Sequence, residues 1–179
     1  MQKKLILDSE LFDITVSRLC HQIIENYDCI EDTVILGLQP RGAFLSEILS
    51  EKLFKLTKKK PLTGLLDSTF HRDDFRRREK PVKASTTNIP FIIEDKNVIL
   101  VDDVLFTGRS VRASLDAMIT FGRPRKVELL VLINRKFKRE LPVEPHYIGK
   151  NVHTLESQKV LVEWKEQGFK KNSVWLVNT

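Results

Sequence analysis

The sequence predicts an α/β fold, a mainly parallel sheet with helices on both faces. Short apolar, β-branched runs alternate with longer segments of helical spacing, and each run ends in a polar or glycine-containing turn. The chain shows neither an internal repeat nor a Gly/Ser linker, so its 179 residues fit one domain spanning 1–179.

The elements follow in order. Leu11, Ile14, Leu19, Ile23 and Ile24 recur at helical spacing and predict an amphipathic helix over 10–27. Thr33-Val34-Ile35-Leu36-Gly37 reads as a strand, broken by Leu38-Gln39-Pro40-Arg41-Gly42. Leu45, Ile48, Leu49 and Leu53 place a helix over 43–56, and 61–67 reads as a second strand. Residues 71–88 turn polar, with Arg76-Arg77-Arg78-Glu79-Lys80 among them. So long a loop in a compact domain is often an active-site lid. Val98-Ile99-Leu100-Val101 reads as a buried strand, 110–121 as a helix and 127–133 as a further strand. In such sheets ligands sit outside the carboxyl ends of the strands, which directs attention to 37–42, 67–74 and 102–110.

Composition narrows the setting. With 41% hydrophobic and 30% charged residues the chain reads as an ordinary soluble protein. No apolar run approaches the ~20 residues that cross a bilayer. The apolar part of Met1-Gln2-Lys3-Lys4-Leu5-Ile6-Leu7-Asp8 is too short for a secretory signal, so a cytoplasmic protein without membrane contact is expected. Cys20 and Cys29 lack CxxC spacing and read as free thiols. The net charge of +6 favours anionic partners, phosphates or nucleic acid.

The chemistry concentrates in Val98-Ile99-Leu100-Val101-Asp102-Asp103-Val104-Leu105-Phe106-Thr107-Gly108-Arg109-Ser110. A buried strand delivers two adjacent carboxylates, then a loop opening a helix. Backbone N–H groups of such a loop suit a phosphate dianion. Thr107 and Ser110 add hydroxyl donors, and Gly108 lets the backbone approach. The paired carboxylates can accept from two vicinal hydroxyls. Phosphate and diol at that separation describe ribose 5-phosphate. The stretch is neither a Walker A loop nor a GxGxxG turn.

This segment resembles the motif by which type I phosphoribosyltransferases bind 5-phosphoribosyl-1-pyrophosphate (PRPP). The likeness extends to the PyrR family, from Ile6 to about Trp164. It is carried by Gly37-Leu38-Gln39-Pro40-Arg41-Gly42, Phe70-His71-Arg72-Asp73-Asp74, the segment above with Val111-Arg112, Gly122-Arg123-Pro124, Arg139-Glu140-Leu141-Pro142 and Tyr147-Ile148-Gly149-Lys150-Asn151.

The resemblance implies a type I phosphoribosyltransferase fold: a mainly parallel sheet flanked by helices, with a small hood drawn partly from the C-terminal region. It implies that Asp102 and Asp103 bind the ribose hydroxyls. Val104, Leu105, Phe106, Thr107, Gly108, Arg109 and Ser110 hold the 5-phosphate, and Pro40, Arg41 and Gly42 the pyrophosphate, with Gln39–Pro40 as a cis peptide bond. Arg41, Asp102 and Asp103 are the expected catalytic set. A flap over about 72–88 begins at Arg72, and Arg135 and Val160 are the expected base contacts. No metal site from protein alone is expected; Mg²⁺ arrives with PRPP, near Asp102 and Asp103.

The implied activity converts uracil and PRPP to UMP and pyrophosphate in a homodimer or higher oligomer. Two alternatives stay open: a UMP-responsive RNA-binding regulator of pyrimidine genes, and a phosphoribosyltransferase for another base. The chain departs from the family's Lys-Thr-Arg-Gly at Gln39-Pro40, and from its Asp, His and Pro at Asn134, Lys138 and His153. An RNA surface would draw on Arg18 and His21, one helical face, and on Lys136, Lys138 and Arg139. Asp13 and Ile14 interrupt that face, so RNA is the less favoured partner.

Overall fold

The computed structural model describes residues 3–73 and 84–178. Five strands form a wholly parallel sheet: β2 (Thr33–Leu38), β3 (Leu62–Leu66), β4 (Asn97–Leu105), β5 (Lys126–Arg135) and β6 (Tyr147–Val152), in the order β3-β2-β4-β5-β6. β1 (Lys3–Leu7), β7 (Gln158–Glu163) and β8 (Ser173–Asn178) make a second, antiparallel sheet in the order β1-β8-β7. This is the hood, and it joins the first strand of the chain to the last two.

Period-two alternation divides each apolar run between two cores. Ile35, Ile99, Val101, Leu130 and Leu132 face α1 (Ser9–Asn26) and α2 (Gly42–Thr57). Val34, Leu36, Val98, Leu100, Leu129 and Val131 face α3 (Arg109–Met118). α1 starts where Asp8 caps it, its carboxylate accepting from the Leu11 N–H at 2.8 Å. The helix buries Phe12, Val16, Leu19 and Ile23 but leaves Leu11 and Ile14 exposed, correcting the face read from spacing.

Other boundaries move too. β4 runs through Leu105, because its parallel register with β5 continues to Leu105↔Asn134. Asp102 and Asp103 therefore lie within the strand, not beyond its expected end at Val101. α3 begins at Arg109 and stops at Met118, with a 3₁₀ turn over Ile119–Phe121. Most of the expected flap, residues 74–83, lies outside the described residues; its far side returns to β3, where Leu65 and Asn88 exchange backbone hydrogen bonds at 2.8 Å. No helix among the described residues is long and apolar enough to cross a membrane.

Near the amino end of β5 sits a buried carboxylate, Glu128. The hydroxyls of Tyr27 (2.5 Å) and Tyr147 (3.0 Å) donate to it, Lys126 pairs with it, and His146 Nε2 lies 3.4 Å away. Burial pushes its carboxyl up, but hydrogen bonds from Lys126, Tyr27 and Tyr147 outweigh this and hold it below the ordinary 4.5. The cluster ties the end of α1 to the first residues of β5 and β6.

Candidate functional site

The carboxyl ends of β2 and β4 and the start of α3 enclose a cavity of about 640 Å³, lined by Pro40, Arg41, Arg72, Asp102, Asp103 and Ser110 among others. Pairing with β5 carries β4 far enough to present its two acids here. Asp103 is buried, and Arg41 Nε donates to its Oδ2 at 2.6 Å. The same guanidinium donates to the Val162 carbonyl of β7, so one side chain ties the 38–42 loop, the acid pair and the hood. Asp102 opens onto the cavity, its Oδ1 accepting from the Asp103 N–H at 2.8 Å. Burial first, then the neighbouring Asp103 charge, raises the Asp102 carboxyl well above the ordinary 3.8.

The 38–42 loop closes another side. The Gln39–Pro40 bond is cis, as the resemblance implied. The Gln39 N–H donates to Leu66 O at 2.9 Å and its side chain to Thr86 O at 2.6 Å. A Cβ on Gly42 would lie 2.2 Å from Val101 O, so only glycine lets α2 begin against β4 at the acid pair.

A smaller cavity of about 180 Å³ adjoins the first, lined by Thr107, Gly108, Ser110, Arg72 and Asp102 among others. Gly108 caps α3 with φ of 92°, a left-handed backbone that favours glycine. Arg72 Nη1 donates to Ser110 Oγ at 2.9 Å, which brings the start of the flap to this loop. Arg109 turns outward instead, pairing with Glu140 at 2.6 Å and with Asp73. Its place among the phosphate contacts is thus not one that its side chain supports; its backbone N–H remains at the first turn of α3.

The two expected base contacts line neither cavity. Arg135 is buried at the end of β5, donating to Thr154 Oγ1 at 3.1 Å and Gln158 O at 3.0 Å while its guanidinium lies 3.9 Å over the Phe106 ring. Val160 is half-buried in β7 and packs on the α1–α2 core. Asn134 donates to Asn151 Oδ1 at 2.9 Å and accepts from Arg139 at 2.7 Å, a pair of roles that an ionised Asp could not fill together. Sequence reading pointed to 67–74 but gave Asp67 no role; it also lines the larger cavity and accepts from the Thr69 N–H at 2.8 Å and from Ser85. Its position at the end of β3 was the available signal.

The basic residues offered for RNA are largely engaged. Arg18 donates to the carbonyls of Ile148 (3.2 Å) and Gly149 (2.5 Å), Lys138 pairs with Glu156, and Arg139 turns inward. His21 and Lys136 are exposed.

The acid pair, the glycine-capped helix start and the Pro40–Gly42 loop meet at two adjoining cavities. A family model for the phosphoribosyl transferase domain matches residues 3–167. Solved structures agree in fold: the hypoxanthine-guanine phosphoribosyltransferase of Bacillus anthracis superposes with a TM-score of 0.73 at 17% identity, covering 97% of this chain and 98% of that one. The hypoxanthine phosphoribosyltransferase of Trypanosoma cruzi gives 0.73 at 13% identity, over 98% and 96%.

Within that class, sequence similarity is closer to another group. A bifunctional protein PyrR from Actinobacillus succinogenes is 45% identical over 163 residues, 89% of this chain and 90% of the relative. One from Enterococcus faecalis is 40% identical over 167 residues, 93% of each. The chain belongs to the PyrR family of phosphoribosyltransferase-fold proteins.

Proposed function

We propose that this chain transfers the phosphoribosyl group of PRPP to uracil, giving UMP and pyrophosphate. The observation that carries the reading is the acid pair at the end of β4, set between the 38–42 loop and the glycine-capped start of α3 around one cavity. Asp102 and Asp103 accept from the ribose hydroxyls, the N–H and hydroxyl donors of 107–110 hold the 5-phosphate, and Arg41 with the Pro40–Gly42 backbone faces the pyrophosphate. Arg41 already lines the cavity; Asp103 holds its Nε and the Val162 carbonyl its Nη2, which fixes the guanidinium with donors left for pyrophosphate.

In the reaction a base nitrogen attacks the anomeric carbon as its bond to the pyrophosphate oxygen breaks. Positive charge grows on the sugar and negative charge on the leaving group. Fixed charges aimed at those positions lower the barrier, and closure of the site keeps water from the activated sugar. Phe106 offers no proton acceptor, so positioning and electrostatics carry the step. Mg²⁺ fits this site: two adjacent carboxylates are hard oxygen donors, and Asp102 opens onto the cavity while accepting from the Asp103 N–H. Asp102 and Asp103 would hold it with PRPP, where it neutralises pyrophosphate charge.

The choice of uracil rests on the family resemblance carried by 139–142 and 147–151, not on the hypoxanthine enzymes, whose likeness is one of fold. The same resemblance keeps an RNA-binding role as the second reading, and the relatives are named bifunctional. PRPP consumption assayed with uracil, hypoxanthine and no base, with and without Mg²⁺, tests the proposal. Mg²⁺-dependent UMP formation is expected; equal turnover with hypoxanthine, or none with uracil while PRPP binds, overturns the pyrimidine assignment.

A further inference from the structure

Residues 139–143 touch the 106–109 loop from outside the site. Arg139 Nη1 donates to Phe106 O, and the N–H groups of Glu140 (3.1 Å) and Leu141 (3.2 Å) both donate to Thr107 O. The side chains of Leu141 and Val143 lie against Gly108, 3.4 Å from where a Cβ would stand. None of residues 139–143 lines the 180 Å³ cavity on the loop's other side.

Peptide geometry gives these contacts a consequence. In a planar trans peptide the C=O and the following N–H point in opposite directions, and the one cis bond among the described residues is Gln39–Pro40. Fixing Phe106 O toward Arg139 aims the Thr107 N–H the other way. Fixing Thr107 O toward Glu140 and Leu141 does the same for the Gly108 N–H. Neither N–H finds a hydrogen-bond acceptor among the described residues. Two unpaired donors are thus set toward the small cavity by contacts on the loop's outer side. Arg139 is itself held in place, its Nη2 donating to Asn134 Oδ1 at 2.7 Å.

We infer that Arg139 is a positioning residue: it orients the Phe106–Thr107 peptide so that the Thr107 N–H, beside the Gly108 N–H set by the 140–141 backbone, forms the anion site for the 5-phosphate. The inference rests on the phosphoribosyl reading of that site and adds a residue that touches neither substrate nor metal. It also explains why a basic residue inside Arg139-Glu140-Leu141-Pro142 is turned inward. A guanidinium can serve a carbonyl and an amide oxygen together, whereas an ammonium is a single point.

Calorimetry with D-ribose 5-phosphate as one probe and Mg²⁺–pyrophosphate as the other tests this on the full chain. Arg139→Met should weaken ribose 5-phosphate by roughly tenfold or more, the scale of one misaimed hydrogen bond to a charged group. Pyrophosphate binding should not change, because its expected loop lies on the far side of the acid pair. Arg139→Lys, which is expected to fold should the Met variant fail to, should fall between Met and parent. Lys138→Ala, whose ammonium pairs with surface Glu156, should bind like the parent.

Unchanged ribose 5-phosphate affinity in both Arg139 variants overturns the inference. So does a parallel loss for pyrophosphate, which marks a general structural role, or an equal loss in Lys138→Ala, which marks bulk charge. A parent chain that binds neither probe overturns the phosphoribosyl reading, a separate and recognisable failure.

Discussion

Two places in this protein hold carboxylates within the fold, and they are treated in opposite ways. Glu128 is surrounded by donors: two tyrosine hydroxyls, the Lys126 ammonium and, at 3.4 Å, His146. Its carboxyl is held below the ordinary value despite burial. Asp102 has one short contact, from the next residue's N–H, and shares its surroundings with a second acid that has taken Arg41. Its carboxyl is raised. A buried acid with hydroxyls and cations gathered around it stabilises a fold. One left short of donors beside a cavity is waiting for something to supply them, and perturbed groups of this kind gather at functional sites.

The largest effect expected from this contrast is on ligand affinity. Changing Asp102→Asn and Asp103→Asn together should weaken PRPP roughly a hundred-fold or more, since each charge-assisted hydrogen bond is worth about 1.5–3 kcal/mol. Circular dichroism should show the fold intact, with the loss of melting temperature limited to that of the Arg41–Asp103 pair. A fall in melting temperature with PRPP affinity retained would place the pair with Glu128 and break the contrast.

The converse substitution comes next in size. Glu128→Ala removes the shared acceptor of Tyr27 and Tyr147 and leaves their hydroxyls buried without it. Stranding such groups costs about 1–3 kcal/mol each, so a loss of roughly 3 kcal/mol is expected. For a chain of this length that lowers Tm by about 6–12 °C. PRPP affinity should hold. A calorimetric Tm within a degree of the parent would show that the tyrosines find other partners.

The contrast was only half visible in the sequence. Asp102 and Asp103 were legible because strand, acids, Thr-Gly and helix start are contiguous, though pairing with β5 sets how far the strand carries them. Glu128 is one polar residue inside an apolar run; its partners Tyr27 and Tyr147 come from α1 and β6, and no spacing announces them. The same limit applies to Arg41, whose tie to Asp103 spans 62 residues and whose second tie reaches β7.

Central strands were found because burial on both faces leaves a continuous apolar run. The hood strand β1 was not: it is two lysines and three aliphatic residues, and becomes a strand by pairing with β8 at the other end of the chain, Lys3↔Val177. Arg139 was read as a surface cation because charge carries no direction. The phosphate-loop carbonyl that turns it inward is set by tertiary contact.

The smallest effect sharpens the contrast through pH. A carboxyl raised in the folded state favours folding only while protonated. Its contribution is complete below the unfolded value, near 3.8, and is lost as pH climbs through the raised folded value. Glu128 has the opposite sign: its contribution is present above about 4.5 and is lost as pH falls through the depressed folded value. At neutral pH the unliganded protein therefore holds Asp102 at a cost, opposed in part by the nearby Arg41 charge. Asp102→Asn removes that cost and should raise Tm at pH 7 by a few degrees at most, while flattening the fall in stability as pH rises above the ordinary carboxylate value. Saturating PRPP with Mg²⁺ should reverse the order, because the parent gains binding energy that the Asn variant cannot. Scanning calorimetry across that range, with and without PRPP, reads both halves. If Asp102→Asn instead melts lower than the parent at pH 7 without ligand, the acid is serving the fold after all, and the difference between the two carboxylate sites is one of position alone.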